Sequence, residues 1–348
     1  MQLASVEVIP YALPFKEPYV TARGELRQRE MVLLRVRDED GVVGLGEAVP
    51  LSLRGGATLE QVVRELEAAE GQEAEGLSAP ARCAVATARM DLLGKRTSND
   101  AGAENEAVPC NATLVAGSPE AVAAEAKRWA EDGFATFKLK LGTETVKKSD
   151  MRTFLRSREP HGLEQVRAVR EAVGSGARIR VDANEAWDLE TAKRTLAELE
   201  PFGIELAEQP VGGLEAMAEL AASTSIPLAA DESVATLAEA ERAVALGACA
   251  YSGIKLSKVG GAEAALAIAD VLPAYVTSAL DGPVGIAAAA RVAQDIGGEL
   301  AHGLATQRLF ASTIASAECD IRDGMLHLPP GPGLGVEIDE DALQAHRL

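Results

Sequence analysis

The sequence is poor in cysteine, aromatic residues and positive charge, and each deficit argues against a class of protein. Its 348 residues include 4 cysteines without a CxxC pair, so neither a disulfide scaffold nor a cysteine metal clip is predicted. Lys and Arg number 34 against 53 Asp and Glu, for a net charge of −19. Because nucleic acids and anionic membranes bind basic faces, neither is an expected partner.

Long apolar runs and targeting signals are not visible either. No run of about 18 apolar residues predicts a membrane span, and the first 19 residues lack a basic segment followed by an apolar one, so no signal peptide is expected. Four ordinary thiols suit a reducing compartment, and the cytoplasm is the expected location. Hydrophobic residues make up 47% of the chain, enough for a large core. Composition leaves a homo-oligomer open.

The first hundred residues predict a small α+β unit. Two β-rich segments with a hairpin signal at residues 38–41 precede two helical patterns at 57–71 and 81–95. Strands followed by helices are typical of an α+β domain, which we assign to residues 1–105. A polar stretch rich in turn formers, residues 96–107, is the predicted linker.

Beyond Asn111 short apolar strands alternate with amphipathic helices. One such helix begins with Ser118 as N-cap and Pro119 at its first position. Eight βα-type units over about 200 residues favour a closed TIM-type barrel. A doubly wound open sheet is the alternative, although no GxGxxG follows the first strand. We assign the barrel to residues 106–321 and expect the tail, 322–348, to return to the small domain.

The second barrel strand carries an unusual pair of lysines. Lys138 and Lys140 alternate with Phe137, Leu139 and Leu141. Since side chains alternate between faces along a strand, both lysines point to the same side. Lysine is almost never buried unless it is paired. The pattern therefore predicts acidic partners on that side of the strand.

Charged residues also end the next four barrel strands. The third to sixth strands end with Asp182, Glu208, Asp231 and Lys255, which join Lys138 and Lys140 of the second strand. Their spacing of 23 to 26 residues from Asp182 onward is one βα unit. Because catalytic groups of such barrels lie at the carboxyl ends of strands, we expect these side chains to meet.

The three acids and the flanking lysines predict metal-assisted proton chemistry. Asp182, Glu208 and Asp231 would repel one another without a cation, and oxygen ligands favour Mg²⁺, with Mn²⁺ as a substitute, over zinc. The metal would stabilise an enolate while a lysine handles the α-proton. Lys138 and the metal's charge are expected to lower the pKa of Lys140 so that it acts as a base.

In this order the residues resemble the enolase superfamily, and specifically its muconate-lactonizing subgroup. The segments that carry the resemblance are KLKLG, DANEAW, AEQP, ADES and IKLSKVGG. The resemblance implies a modified (β/α)7β barrel with an α+β capping domain built from the N-terminus and the C-terminal tail. It also implies Asp182, Glu208 and Asp231 as metal ligands, and Lys140 and Lys255 as acid/base residues.

Several activities share this machinery, and the end of the seventh strand bears on the choice. The segment Thr277–Ala293 is similar to that of o-succinylbenzoate synthases, so we expect a lyase that dehydrates a carboxylate substrate in menaquinone biosynthesis. The alternatives are N-succinylamino acid racemase or dipeptide epimerase, then muconate cycloisomerase. A barrel that only binds a carboxylate is a non-enzyme alternative. Dipeptide epimerases usually carry Asp-x-Asp here, whereas this chain has Asp281 alone.

Substrate contacts are expected from this segment and from two loops of the capping domain. A helix beginning near Pro283 is expected to hold a substrate carboxylate at its N-terminus. Arg23 and Arg54 could meet a succinyl carboxylate, or could be exposed surface arginines. The predicted substrate-binding residues are Asn184, Ser278, Leu280, Asp281, Gly282, Arg23 and Arg54. The segment 143–161 is longer than the family's usual loop.

Overall fold

The computed structural model describes residues 3–21, 24–52, 55–72, 76–97, 107–115, 117–141 and 162–348. Arg23 and Arg54, most of the predicted linker and the long segment 143–161 lie outside these residues. Among the helices described, none is long and apolar enough to cross a membrane.

Strands and helices are numbered here in chain order over the described residues. The strands are β1 (Leu3–Thr21), β2 (Gly24–Asp38), β3 (Val43–Ala48), β4 (Val108–Pro109), β5 (Ala112–Leu114), β6 (Thr136–Lys140), β7 (Arg178–Asp182), β8 (Ile204–Glu208), β9 (Leu228–Ala230), β10 (Tyr251–Ile254), β11 (Ala274–Val276), β12 (Ala315–Ala317), β13 (Asp320–Arg322), β14 (Met325–His327) and β15 (Glu337–Ile338). The helices are α1 (Leu59–Ala69), α2 (Ala79–Arg96), α3 (Pro119–Glu131), α4 (Leu163–Val173), α5 (Leu189–Leu199), α6 (Leu214–Ala221), α7 (Leu237–Leu246), α8 (Leu256–Val259), α9 (Ala262–Ala269), α10 (Pro283–Ile296) and α11 (Glu340–His346).

The barrel is a parallel sheet in which strands follow one another in chain order from β5 to β11. Its closure uses two single bridges, Cys110 to His302 and Thr277 to Gly303. The His302 ring adds a contact, since the Val276 amide donates to its Nδ1 at 3.0 Å. The eighth predicted strand is therefore only two paired residues. The predicted modified TIM-type barrel with a capping domain is confirmed.

The barrel elements form where the sequence supplies periodicity and caps. Helix α3 begins as predicted, with the Ser118 hydroxyl accepting from the Ala121 amide at 3.3 Å and Pro119 in the first turn. Each βα unit then returns the chain to the same end of the sheet. Consecutive strands therefore present their last residues side by side.

The capping domain packs a three-stranded antiparallel sheet, β1-β2-β3, against α1 and α2. The turn between β2 and β3 lies at the predicted hairpin, where the Gly41 amide donates to the Asp38 carbonyl at 3.1 Å. Strand β3 approaches α2 so closely that a Cβ at Gly46 would lie 2.0 Å from the Ala84 carbonyl oxygen. Only glycine fits there without moving the helix.

The C-terminal tail contacts both parts of the chain. Strand β14 pairs with β4, which directly precedes the first barrel strand. The Leu334 amide donates to Asp91 of α2 at 2.8 Å, and the Leu348 amide donates to the Pro10 carbonyl at 3.0 Å. The tail thus reaches the capping sheet in its last fifteen residues. We propose the division at residues 1–105 plus 322–348, and 106–321, on these contacts.

Candidate active site

The six charged residues predicted from strand ends lie together at one end of the barrel. The register pairs Lys140 with Asp182, and Asp182 with Glu208, across neighbouring strands. Asp231 and Lys255 directly follow β9 and β10. The three carboxylates are buried, with exposed fractions of 0%, 0% and 1%. Lysines lie at both ends of this row of acids.

Lys138 is the buried partner of two acids. Its Nζ donates to both oxygens of Glu208 at 2.8 Å and lies 3.1 Å from Asp182 Oδ2. Burial by itself would lower the pKa of Lys138, but the adjacent Glu208 and Asp182 carboxylates outweigh burial and raise the pKa. Lys138 therefore stays charged and holds Glu208 in place.

Lys140 lies at the outer end of the same strand. Its Nζ donates to Asp182 Oδ2 and to Asn184 Oδ1 at 3.1 Å. Burial lowers the pKa of Lys140; Asp182 opposes this, and the charge of Lys138 adds to the lowering. The direction agrees with the prediction, but burial, not Lys138, is the larger cause. A lowered pKa suits a base.

Asp231 is shared by two lysines, one of which we did not single out from the sequence. Lys255 Nζ donates to Asp231 Oδ2. Lys258 Nζ donates to Asp231 Oδ1 at 2.9 Å and to its carbonyl. Lys258 lies in the short helix α8, three residues after Lys255. Residues three apart lie on one side of a helix, and this spacing was the sequence signal that could have predicted Lys258 beside Lys255.

Tyr275 is a further partner of the acids that its local sequence does not reveal. Its hydroxyl donates to Glu208 Oε2 from β11, across the barrel interior. The guanidinium carbon of Arg180 lies 4.9 Å from the Tyr275 ring centroid, and Arg180 Nη1 donates to the Ala301 carbonyl at 2.6 Å. Glu208 is thus held by Lys138 from one side and Tyr275 from another.

The carboxylate oxygens of Asp182, Glu208 and Asp231 are suitable ligands for a hard divalent ion. Three buried carboxylates project from the ends of three adjacent strands, and oxygen-only ligands are those that Mg²⁺ takes. In the part of the chain that the structure describes, no three Asp, Glu, His or Cys side chains gather as a metal centre. Each of the three carboxylates also accepts a hydrogen bond from a lysine ammonium group: Glu208 from Lys138, Asp182 from Lys140 and Asp231 from Lys255.

The predicted substrate-binding segment after β11 folds back on itself. The Ser278 hydroxyl donates to Asp281 Oδ2 at 2.7 Å and accepts from the Leu280 and Asp281 amides at 2.9 Å. Asp281 also accepts from the Ala279 amide at 2.7 Å and the Ser257 hydroxyl at 3.1 Å. Asp281 is 6% exposed, and its carboxylate holds the conformation of the segment through these internal hydrogen bonds.

The helix after this segment begins at Pro283, close to the predicted position, but its N-terminus is already occupied. The Gly282 amide donates to Glu47 Oε1 at 2.7 Å, and the Gly285 amide also bonds to Glu47. The expectation that these amides bind a substrate carboxylate is therefore corrected. Glu47 lies on β3 of the capping domain, and nothing in its local sequence points to α10.

Asn184 is the predicted substrate-binding residue that stands among the charged residues. Its backbone has a φ of 48° and its amide donates to Asp182 Oδ1 at 3.0 Å. Its side-chain Nδ2 donates to Glu232 Oε1 at 3.1 Å. Asn184 thus links Lys140, Asp182 and Glu232.

Two family models together match most of the chain. The one described as "Mandelate racemase / muconate lactonizing enzyme, N-terminal domain" matches residues 4–75. The one described as "Enolase C-terminal domain-like" matches residues 121–342. The chain therefore belongs to the mandelate racemase and muconate lactonizing enzymes of the enolase superfamily, as the resemblance of its motifs implied.

Individual relatives are isomerases. The N-succinyl-L-Arg/Lys racemase of Bacillus cereus is 27% identical, over 99% of this chain and 97% of the relative. Muconate cycloisomerase 1 of Acinetobacter baylyi is 27% identical, over 99% of both. The solved structure of a dipeptide epimerase from Cytophaga hutchinsonii, complexed with Mg and D-Ala-L-Val, superimposes with a TM-score of 0.86 at 24% identity, covering 99% of this chain and 98% of that one.

Proposed function

We propose that this chain is an isomerase that moves a proton at the carbon next to a substrate carboxylate, as a racemase or epimerase does. The observation that carries the proposal is the placement of Lys140 and Lys255 at opposite ends of one row of acids. Lys140 contacts Asp182, and Lys255 contacts Asp231. Inverting a carbon centre needs an acid and a base on opposite faces of it.

The chain's residues have separate roles in this proposal. Asp182, Glu208 and Asp231 would hold Mg²⁺, which when bound stabilises negative charge on the substrate carboxylate. Lys138 and Tyr275 orient Glu208, and Lys258 orients Asp231. Lys140 and Lys255 remain as the two groups available for proton transfer.

In the proposed reaction one lysine removes a proton from the substrate's α-carbon and the other lysine returns one. Neutral Lys140 Nζ takes the α-proton as the C–H bond breaks, and the electron pair passes into the substrate's carboxylate group as an enolate. The Lys255 ammonium then gives its proton to the opposite face, forming the new C–H bond. Turnover leaves Lys140 charged and Lys255 neutral, which is the state that catalyses the reverse reaction.

The comparisons support the isomerase over the dehydratase that the Ser278–Gly282 segment favoured. The relatives described above are a racemase, a cycloisomerase and an epimerase, and the racemase makes N-succinyl amino acids the first substrates to test. The o-succinylbenzoate synthase activity stays a second candidate, supported by the resemblance of that segment alone.

Deuterium exchange tests the proposal. The protein with Mg²⁺ in D₂O would be incubated with N-succinyl-L-Arg, N-succinyl-L-Lys, a set of dipeptides and the cyclohexadiene precursor of o-succinylbenzoate. Proton NMR follows loss of the Cα signal, and polarimetry follows racemisation. We expect exchange with inversion for an N-acyl amino acid or a dipeptide. Aromatisation of the precursor without exchange of the others would favour the dehydratase.

Matched variants separate the site from the rest of the chain. Lys140→Ala should reduce racemisation by roughly 10³-fold. Lys193→Ala, which removes a partly exposed lysine paired with Glu190 and Glu219, should leave racemisation unchanged. Removing Mg²⁺ with EDTA should stop turnover, and adding it back should restore turnover. Turnover of no substrate in the set, by protein that binds Mg²⁺, would contradict the proposal.

A further inference from the structure

Helix α10 lacks a cap from its own sequence. Its N-cap residue is Gly282, which has no side chain, and its first turn contains no acidic residue. The orphan amides of a helix N-terminus need acceptors. Here the acceptor is the carboxylate of Glu47, 235 residues away in the capping domain, which receives the Gly282 amide at 2.7 Å and the Gly285 amide.

The packing around Glu47 leaves no room for another group. Tyr11 of β1 donates its hydroxyl to Glu47 Oε2 at 2.9 Å, and Glu47 is 2% exposed. A Cβ at Gly282 would lie 2.3 Å from the Tyr11 hydroxyl and 2.7 Å from Glu47 Oε2. The carboxylate therefore sits directly on the first turn of α10, with a glycine opposite it.

The Glu47 contact holds the segment Ser278–Gly282, which follows β11, the seventh strand of the barrel. Leu280 has a φ of 67°, an uncommon conformation for a leucine, and the Ser278–Asp281 hydrogen bonds support it. Arg29 of β2 donates to the Pro50 carbonyl at 2.8 Å and to the Ala279 carbonyl at 3.2 Å. Two capping-domain residues, Glu47 and Arg29, thus hold the two ends of this segment.

From this geometry we infer that Glu47 is a positioning residue, which fixes the Ser278–Gly282 segment beside the substrate and closes the α10 N-terminus to anionic substrate groups. The Glu47 carboxyl group accepts from the Gly282 and Gly285 amides and occupies the positive end of the helix dipole, which would otherwise attract an anion. A second acidic group on the substrate must then be bound elsewhere. The part that concerns substrate rests on the proposed function; the part that concerns the segment does not.

Hydrogen–deuterium exchange of the whole protein tests the structural half. Glu47→Ala should speed amide exchange in peptides covering residues 276–290 by roughly tenfold or more, because their cap is lost. Glu47→Gln keeps one acceptor oxygen and should restore most of the protection. The matched control is Asp91→Asn, since Asp91 is also buried in the capping domain but bonds to Leu45, Leu334 and Lys95. It should leave residues 276–290 unchanged.

A second variant acts from the other side of the contact. Gly282→Ala places a methyl group against Tyr11 and Glu47 and should displace the carboxylate without removing it. Its exchange phenotype should match that of Glu47→Ala, and the double variant should add less than the sum of the two, because one contact is lost only once. If Glu47→Ala does not fold, Gly282→Ala alone decides. Unchanged exchange in folded variants would overturn the inference.

Kinetics test the half that concerns substrate. With the substrate that wild-type protein turns over, Glu47→Ala should raise KM roughly tenfold while kcat falls less than about threefold, since the lysines and acids lie on strands that Glu47 does not touch. Glu47→Gln should recover most of the KM, and Asp91→Asn should not move it. Equal losses in kcat and KM for Glu47→Ala and Asp91→Asn would overturn the positioning role. Wild-type protein without any turnover would contradict the proposed function and leave the exchange result to decide.

Discussion

Two buried clusters of carboxylates in this protein meet opposite surroundings. The barrel mouth is the end of the sheet where Asp182, Glu208 and Asp231 lie. There Asp182 contacts the ammonium groups of Lys138 and Lys140. At the boundary with the capping domain, Glu47 is bonded by two amides and a hydroxyl, with Asp281 nearby. Both clusters are almost completely inaccessible to solvent.

The difference shows that counter-charge, not burial, sets the ionisation of a buried acid. Burial raises the pKa of Asp182, yet Lys140 and Lys138 overcome it and hold that pKa below its ordinary value. Burial likewise raises the pKa of Glu47, the Asp281 charge adds to it, and the hydrogen bonds compensate only in part, so that the pKa rises to about 7. Asp182 therefore stays charged at neutral pH, whereas Glu47 titrates there.

The largest expected effect is at the two lysines of the mouth. Lys140→Ala and Lys255→Ala should each reduce racemisation by roughly 10³-fold, because each removes one of two proton-transfer groups. Each variant should still exchange the α-proton of one stereoisomer with D₂O, and the two variants should prefer opposite stereoisomers. NMR with each pure stereoisomer measures this. Equal exchange of both isomers by one variant would show that the lysines do not act from opposite faces.

Asp182→Asn should lower the free energy of unfolding more than Glu47→Gln does, which distinguishes the two clusters. It leaves the buried Lys138 and the partly buried Lys140 without the charge of Asp182. Breaking one half of a buried pair is expected to cost about 3 kcal/mol. Glu47→Gln at pH 7 should cost less than about 1 kcal/mol, because it replaces a carboxylate that is half protonated there. Urea unfolding at pH 7 with EDTA present compares them. The reverse order would refute the role given to counter-charge.

Glu47 should also give the stability a pH dependence of a definite sign. Its pKa is raised from 4.5 to about 7, so the folded chain binds more protons than the unfolded chain between these values. Its contribution is complete below pH 4.5 and is lost as pH rises to 7, by about 3 kcal/mol. Unfolding free energies of wild type and Glu47→Gln at pH 5, 6 and 7 isolate the contribution. A difference that grows in favour of wild type with pH would have the wrong sign.

The smallest effect is expected at Tyr275. Tyr275→Phe removes one hydrogen bond to Glu208, which retains both bonds from Lys138. We expect a loss of about 1 kcal/mol in unfolding free energy and weaker Mg²⁺ binding by calorimetry. Tyr251→Phe, on the neighbouring strand β10, is the control and should change neither quantity. Wild-type Mg²⁺ affinity in Tyr275→Phe would show that Lys138 suffices to orient Glu208.

The charged residues of the mouth could be predicted because their placement follows from local rules. Alternation along β6 puts Lys138 and Lys140 on one side, and the βα repeat brings Asp182 beside Lys140. Lys258 and Tyr275 were not singled out, because a lysine on a helix and a tyrosine in a strand are ordinary residues until their neighbours are known. The eighth strand was only weakly indicated, and it consists of His302 and Gly303 bridging to other strands.

What the sequence by itself determined is the barrel with its row of strand-end charges, since periodicity and the βα spacing depend on nearby residues alone. What only the tertiary structure decided is how those charges and caps are paired. Glu47 caps a helix 235 residues away, and Asp281 turns inward to Ser278 and Ser257. Such contacts form between elements whose approach is set by packing of the whole domain, and no local pattern records them.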